Sequence, residues 1–161
     1  MLFRSVEDVF SGDRNFFQAF GATARPERLV QGLGREFEIL NTAIKRWPVG
    51  YPIQAPLDAV SNLIERHGIR AKDVEHVSIT IDEQGARTVN RRKMANINIQ
   101  HLVAMMLLDG EITFESAHDE SRLHDPEIIR LKRRIELQGS AALLRTRTTQ
   151  AIVEILTRDG R

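Results

Sequence analysis

Apolar residues recur every three or four positions in parts of the chain, which is the spacing of one face of an α-helix. The pattern predicts helices over residues 56–67 and 98–109, and Gly68 and Gly110 follow them as C-caps. A third helix is predicted to begin at Pro126, because proline is tolerated in the first helical turn. The apolar stripes of the two longer helices consist of Leu57, Val60, Leu63 and Ile64, and of Ile99, Leu102, Val103, Met106 and Leu107.

Apolar and polar residues alternate in other stretches, as expected for strands with one buried face. Strands are predicted over residues 36–44, 73–81, 135–137 and 151–157. The first thirty residues predict short helices instead, one of them over residues 26–29. The order strand, helix, strand, helix, helix, strand, strand predicts an α+β fold. In this fold, a small, mostly antiparallel sheet carries helices on one face and is preceded by short N-terminal helices.

Composition narrows the class of protein. The chain has 161 residues, of which 42% are apolar and 28% charged, as in a globular domain. Its 23 basic and 22 acidic residues balance, so we expect no nucleic acid and no membrane among its partners. Two short basic clusters, residues 91–93 and 132–134, are interpreted as a solvated loop or helix end. Cysteine is absent, which excludes disulfides, thiolate metal ligands and a catalytic cysteine.

The ends of the chain carry further signals. The longest apolar run, residues 102–108, is far shorter than the ~20 residues that span a bilayer. Acidic residues interrupt the N-terminal segment, so it is not expected to be a signal peptide, and a cytoplasmic location is the default expectation. At the other end, Asp159 and Gly160 are typical of a hairpin turn, but no returning strand follows. Because unpaired strand edges are a liability, the chain is expected to stop within a domain.

Several stretches together resemble the second half of proteins of the MmgE/PrpD family. They read VFSGDRNFFQAFG at 9–21, IKRWPVGYPIQAPLDAVSNLIERHGI at 44–69, INIQHLVAMMLLDGEITFESA at 97–117 and VEILTRDGR at 153–161. No single stretch is a sharp signature. The resemblance lies in their order, and in a Lys-x-aromatic-Pro turn that precedes a helix and is followed some sixty residues later by a helix ending in Leu-Leu-Asp-Gly.

The resemblance implies a specific architecture and chemistry. Family members such as 2-methylcitrate dehydratase, cis-aconitate decarboxylase and iminodisuccinate epimerase have a large helical domain and a smaller α+β lid domain. The active site lies between the two domains and uses no metal or organic cofactor, and the proteins commonly form homodimers. Residues 1–34 are accordingly interpreted as a helical lead-in that belongs with the absent helical domain. Residues 35–161 are interpreted as the lid domain, truncated at its C-terminal hairpin.

The turn from Lys45 to Gln54 carries the first candidate site residues. By the resemblance, Lys45 is the lysine that faces the substrate pocket, and we assign it both catalysis and substrate binding. A lysine fixed before a rigid turn can offer a point charge to a carboxylate and stabilise enediolate charge; a solvated lysine is the competing interpretation. Gly50 lies where decarboxylase-like members have a histidine, which weighs against decarboxylation. Gln54 is either a carboxylate ligand or a helix cap.

The start of the second long helix carries the other candidates. Asn98 and His101 are assigned to substrate binding, because free N–H groups at a helix start can bind anions. The competing interpretation is that an asparagine caps the helix and His101 lies beside its apolar face. His118 and His124 lie among acidic residues, but their spacing matches no familiar metal motif, so a solvated turn is preferred and no metal site is predicted.

Two hypotheses follow for function. In the first, the complete protein is a cofactor-independent lyase or isomerase that dehydrates, decarboxylates or epimerises a small polycarboxylic acid, and the isolated chain is inactive. Its partners are then the substrate, the missing helical domain and a second subunit. In the second, the chain is a non-catalytic α+β module that binds a small anion or a protein partner. The apolar N-terminal segment and part of the helix that contains Met105 and Met106 would pack against the absent domain. Without that domain their apolar side chains would be exposed, and the isolated chain would tend to associate.

Overall fold

The computed structural model describes residues 8–13, 15–21, 23–143 and 149–160. The chain divides into two compact units between Ile44 and Lys45. The first unit contains helix α1 (Phe16–Phe20) and two 3-10 helices (Pro26–Leu29 and Glu38–Asn41). No described residue of this unit is buried, so the hydrophobic core lies within the second unit.

The second unit is built on a three-stranded sheet. The central strand β1 (Val74–Asp82) lies between β2 (Ile135–Ser140) and β3 (Ile152–Thr157). β2 runs parallel to β1 and β3 runs antiparallel, so the sheet is mixed. A parallel pair requires a long crossover connection, and the helices between β1 and β2 provide it.

Helices cover one face of this sheet. Val77, Ile79 and Ile81 of β1 are buried on that face, whereas Ser78 and Thr80 on the other face are partly exposed. This alternation follows from the two-residue period of a strand. The covering helices and their neighbours are α2 (Gln54–His67), α3 (Glu83–Val89), α4 (Ile99–Asp109), α5 (Phe114–His118) and α6 (Pro126–Lys132).

Helix α4 is the central element of the helical layer. Every residue from 99 to 107 is buried, because α4 packs between α2 and α6 and also contacts β2. A helix that is apolar on all sides is typical of such a position. Gly68 and Gly110 end α2 and α4 with φ of +61° and +79°, a left-handed conformation that glycine adopts without steric cost.

Most sequence-based expectations for the fold are confirmed. The α+β class, the helices on one face and the short N-terminal helices are all present. The predicted helices and the last three predicted strands are found with boundaries shifted by at most three residues. In the described ranges, no helix has both the length and the apolar character needed to cross a bilayer.

The strand predicted over residues 36–44 is wrong. The structure has a 3-10 helix there, Glu38–Asn41, and Phe37, Ile39 and Leu40 are exposed rather than buried on one face. Alternation alone did not make a strand, because the apolar side chains of this segment are exposed and pack against no buried face. Two short helices were also missed, α3 and α5, although each begins at a side-chain cap, Asp82 and Thr113 respectively.

Candidate functional site

The turn between Lys45 and Gly50 is held in shape by the side chain of Gln54. The amide oxygen of Gln54 accepts a hydrogen bond from the N–H of Trp47 at 3.1 Å. Its amide nitrogen donates to the carbonyl oxygens of Trp47 at 2.8 Å and Val49 at 3.3 Å. Pro48 leaves this segment without a ladder or helical bond at its own nitrogen. The Gln54 amide therefore replaces secondary structure as the support of the turn.

Trp47 anchors the same turn to the core. Its side chain is buried, and its indole N–H donates to the carboxylate of Asp58 in α2 at 2.9 Å. The guanidinium of Arg46 lies 4.6 Å from the indole ring centre and 3.2 Å from the same carboxylate. Trp47 is thus a core residue, while Tyr51 is 56% exposed beside it.

Lys45, the first residue of the turn, is exposed. Its ammonium donates one hydrogen bond, to the carbonyl oxygen of Val49 at 3.2 Å. Because an ammonium has three donor hydrogens, two remain for other acceptors. No carboxylate forms an ion pair with Lys45 among the residues that the structure describes. The sequence-predicted lysine therefore presents a fixed positive charge at the surface of the turn.

A backbone hydrogen bond joins the turn to the segment that begins α4. The N–H of Gly50 donates to the carbonyl oxygen of Asn96 at 2.9 Å. A β-carbon on Gly50 would lie 3.3 Å from the side chain of Ile97, so the two segments are in close contact. The structure thus brings the Lys45 turn next to the predicted binding residues at the start of α4.

Asn98 is the N-cap of α4. Its side-chain oxygen accepts a hydrogen bond from the N–H of His101 at 3.1 Å, and its side-chain nitrogen donates to the carbonyl oxygen of Arg92. The side chain is 3% exposed. Both ends of the Asn98 amide are therefore engaged within the protein, and burial leaves little of the side chain accessible to a ligand. Its role as a substrate ligand stays a prediction.

His101 lies in the core, with no exposed surface. Neither ring nitrogen has a hydrogen-bond partner within the described residues. Burial, together with the positive charges of Lys132 and Arg122, lowers the pKa of His101 to about 4, although Asp125 acts in the opposite direction. The imidazole is thus neutral at pH 7. Contact with a substrate requires an opening of the packing around it, and this role too stays a prediction.

His118, which the sequence analysis interpreted as part of a solvated turn, lies beside this site. One ring nitrogen is 3.0 Å from the side-chain nitrogen of Asn96, and the other is 2.8 Å from the carbonyl oxygen of Phe114. The imidazole also stacks on the Phe114 ring, with centroids 4.4 Å apart. Three contacts therefore hold the exposed imidazole in place. One of them is with Asn96, whose carbonyl oxygen accepts the hydrogen bond from Gly50. The Thr113–Ser116 capping box, which starts α5, was the signal that could have found His118.

The sequence that carries these segments matches a known family. The sequence pattern of the MmgE/PrpD C-terminal domain matches residues 47–161, which is well over half of the chain. The chain belongs to the MmgE/PrpD family. No curated protein is a match for the chain.

In this MmgE/PrpD domain, the match includes Gln54, Asn98, His101 and His118, while Lys45 lies just before its first residue. The described parts of the chain contain no group of three histidine, aspartate or glutamate residues placed to hold a metal ion. The candidate residues within this domain and just before it are hydrogen-bonding side chains and one exposed lysine.

Proposed function

We propose that this chain is the lid-domain part of a cofactor-independent lyase or isomerase that acts on small polycarboxylic acids. The observation that carries the proposal is the exposed Lys45 ammonium on a turn that Gln54 holds and Gly50 joins to the start of α4. Because the turn is held in place, the Lys45 side chain loses less conformational entropy when it binds a ligand. Membership of the MmgE/PrpD family supports the same class of chemistry.

In this proposal Lys45 binds a substrate carboxylate and stabilises the charge that develops when the neighbouring proton is removed. Proton removal next to a carboxylate places negative charge on its oxygens, and a fixed cation lowers the energy of that state more than that of the substrate. The resulting anion then expels water, loses carbon dioxide or regains the proton on its other face. Gly50 has no side chain that titrates, so the acid and base groups come from the helical domain.

The proposal includes partners for the exposed apolar surface. Large apolar side chains of the first unit are exposed, as is typical of surfaces that another domain or subunit covers. We assign this role to the helical domain of the same protein and to a homodimer in the cytoplasm. The side chains are Val9, Phe10, Phe16, Phe20, Leu29, Val30, Leu33, Phe37, Ile39, Leu40 and Ile44.

Thermal denaturation of the 161-residue chain tests carboxylate binding. Citrate, 2-methylcitrate, cis-aconitate and acetate are compared at one ionic strength, because salt screens surface charges. A ligand at one hundred times its Kd stabilises the folded state by about 2.7 kcal/mol. We expect the polycarboxylates to raise the midpoint, acetate to have little effect, and Lys45→Met to abolish the stabilisation. Lys72→Met, which removes another exposed lysine of the same unit, is the matched control and should retain it.

A second function is favoured by a specific observation. The Gln54 amide is hydrogen-bonded to the backbone of the turn, and Gly50 has no side chain that could transfer a proton. Both features suit a non-catalytic module that binds a small anion or a protein. Stabilisation by every anion alike, unaffected by Lys45→Met, would favour that module. Indifference to all four acids would overturn carboxylate binding by this chain.

A further inference from the structure

Residues 90–94, which we name the basic loop, are held against α4 by two buried amide side chains. Gln100 is 1% exposed; its oxygen accepts from the N–H of Arg91 at 2.9 Å, and its nitrogen donates to the Asn90 side chain at 2.7 Å. The Asn98 side chain donates to the carbonyl oxygen of Arg92. Buried amides that are fully engaged in this way hold a loop rigid, because each lost bond leaves an unsatisfied polar group.

The backbone of the basic loop is strained at Arg91. Its φ is +46°, and among the described residues it is the one non-glycine residue with positive φ. The left-handed conformation costs a residue with a β-carbon roughly 1–2 kcal/mol. Such strain persists where the surrounding contacts determine the conformation, and it is concentrated at binding sites. The contacts from Gln100 and Asn98 supply that constraint here.

The side chains of the basic loop lack acidic partners. Arg91, Arg92 and Lys93 line a shallow cavity of about 450 Å³ with the apolar side chains of Met94 and Ile97. Within the part of the chain that the structure describes, no carboxylate lies within 4.0 Å of these three cations. Five other arginines of the same unit have carboxylate partners, namely Arg46, Arg70, Arg87, Arg122 and Arg130, whereas Arg66 and Arg133 have none among the described residues.

The charge of Arg91 also acts on a fourth cation, which lies outside the lining of this cavity. Lys132, at the end of α6, is partly buried and also has no carboxylate partner in the described ranges. Burial and the charge of Arg91 both lower the pKa of Lys132, so the two cations repel each other in the folded chain. A folded state that holds like charges together without a counter-ion is stabilised when an anion binds near them.

We propose that the basic loop forms a binding site for the phosphate group of a small ligand. A phosphate monoester carries a charge of about −1.5 to −2 at pH 7 on one group, which matches a cavity lined by Arg91, Arg92 and Lys93 better than the single charge of a carboxylate does. Met94 and Ile97 offer an apolar surface for the organic part of the ligand. The site goes beyond the proposed lyase function and does not depend on it.

Isothermal titration of the 161-residue chain with inorganic phosphate and with phenyl phosphate tests the site. Arg91→Gln and Arg92→Gln each remove one charge while keeping a polar side chain, and each should weaken binding about tenfold or more. Lys72→Gln is the matched control and should bind as the wild type does. Phenyl phosphate should bind more tightly than inorganic phosphate if the ligand is an organic monoester, and equally if the ligand is free phosphate.

Two further readouts make the test decisive. Without ligand, Lys132→Gln should leave the thermal midpoint unchanged or raise it, because it relieves repulsion from Arg91; a lowered midpoint would contradict the repulsion. Lys45→Met should leave phosphate binding intact, which separates this site from the proposed carboxylate site. Absence of saturable phosphate binding, or equal loss in the Lys72→Gln control, would overturn the proposal.

Discussion

Replacement of the buried His101 should change how the stability of the chain depends on pH. The imidazole has no exposed surface, and neither nitrogen has a hydrogen-bond partner within the described residues. Leucine has a similar volume and no polar atom, so His101→Leu keeps the packing and removes two unsatisfied groups. Each unsatisfied group costs about 1–3 kcal/mol. At pH 7 the variant should therefore be as stable as the wild type or more stable.

The magnitude follows from the pKa of the buried ring. The pKa of His101 is about 4 in the folded chain, against 6.5 for an ordinary histidine. Between these values the unfolded chain binds a proton that the folded chain excludes, so the free energy of unfolding falls as the pH falls. The loss of stability begins near pH 6.5 and reaches roughly 3 kcal/mol at its limit, of which about 2 kcal/mol is lost by pH 5.

Urea denaturation at pH 7 and pH 5 measures this loss. Trp47 is the single tryptophan and is buried, so its fluorescence reports unfolding of the core. The difference between wild type and His101→Leu isolates the histidine from carboxylates that titrate in both chains. The variant should gain about 2 kcal/mol relative to wild type between pH 7 and pH 5. His67→Gln, which removes an exposed histidine, should retain the wild-type loss. An equal loss in wild type and His101→Leu would refute the reasoning.

Three further substitutions test the supports of the candidate sites and the sheet. Gln54→Leu removes three hydrogen bonds from the turn around Trp47 and should cost about 2–4 kcal/mol in urea denaturation; a cost below about 0.5 kcal/mol would contradict the anchoring role. Asn98→Ala removes the cap of α4 and should cost about 1–2 kcal/mol, with faster amide hydrogen exchange confined to the first turn of α4. Gly139→Ala would place a β-carbon 3.0 Å from the backbone of Glu83, so α3 must move away from β2 at a cost of about 1–3 kcal/mol. An unchanged thermal midpoint for that variant would show that this contact is loose.

The parts of the fold that local chemistry determines could be predicted from the sequence. Gly68 and Gly110 mark the ends of α2 and α4 because only glycine adopts the left-handed C-cap easily, and Pro126 marks the start of α6. The direction of β2 could not be predicted, because pairing between distant strands leaves no mark in a local pattern. The alternation at residues 36–44 predicted a strand wrongly for the same reason.

The sequence indicates which segments carry the candidate residues, but not how their side chains are engaged. Lys45, Gln54 and Asn98 do lie on two segments that a hydrogen bond from Gly50 joins. The sequence could not show that the Gln54 and Asn98 amides hydrogen-bond to the backbone, because these partners come together only when the chain folds. The contact that supports His118 could not be predicted either, because it comes from Asn96, twenty-two positions earlier.

The central position of β1 also dictates when the sheet can form. Both neighbours of β1 follow it at a distance, because β2 begins at Ile135 and β3 at Ile152, with no hairpin partner close in sequence. Contacts between residues so far apart form late and slow the folding rate, since a long loop must close before they are gained. During synthesis, helices such as α4 can form before the sheet, because β1 stays unpaired until β2 has left the ribosome and the sheet is incomplete until β3 follows.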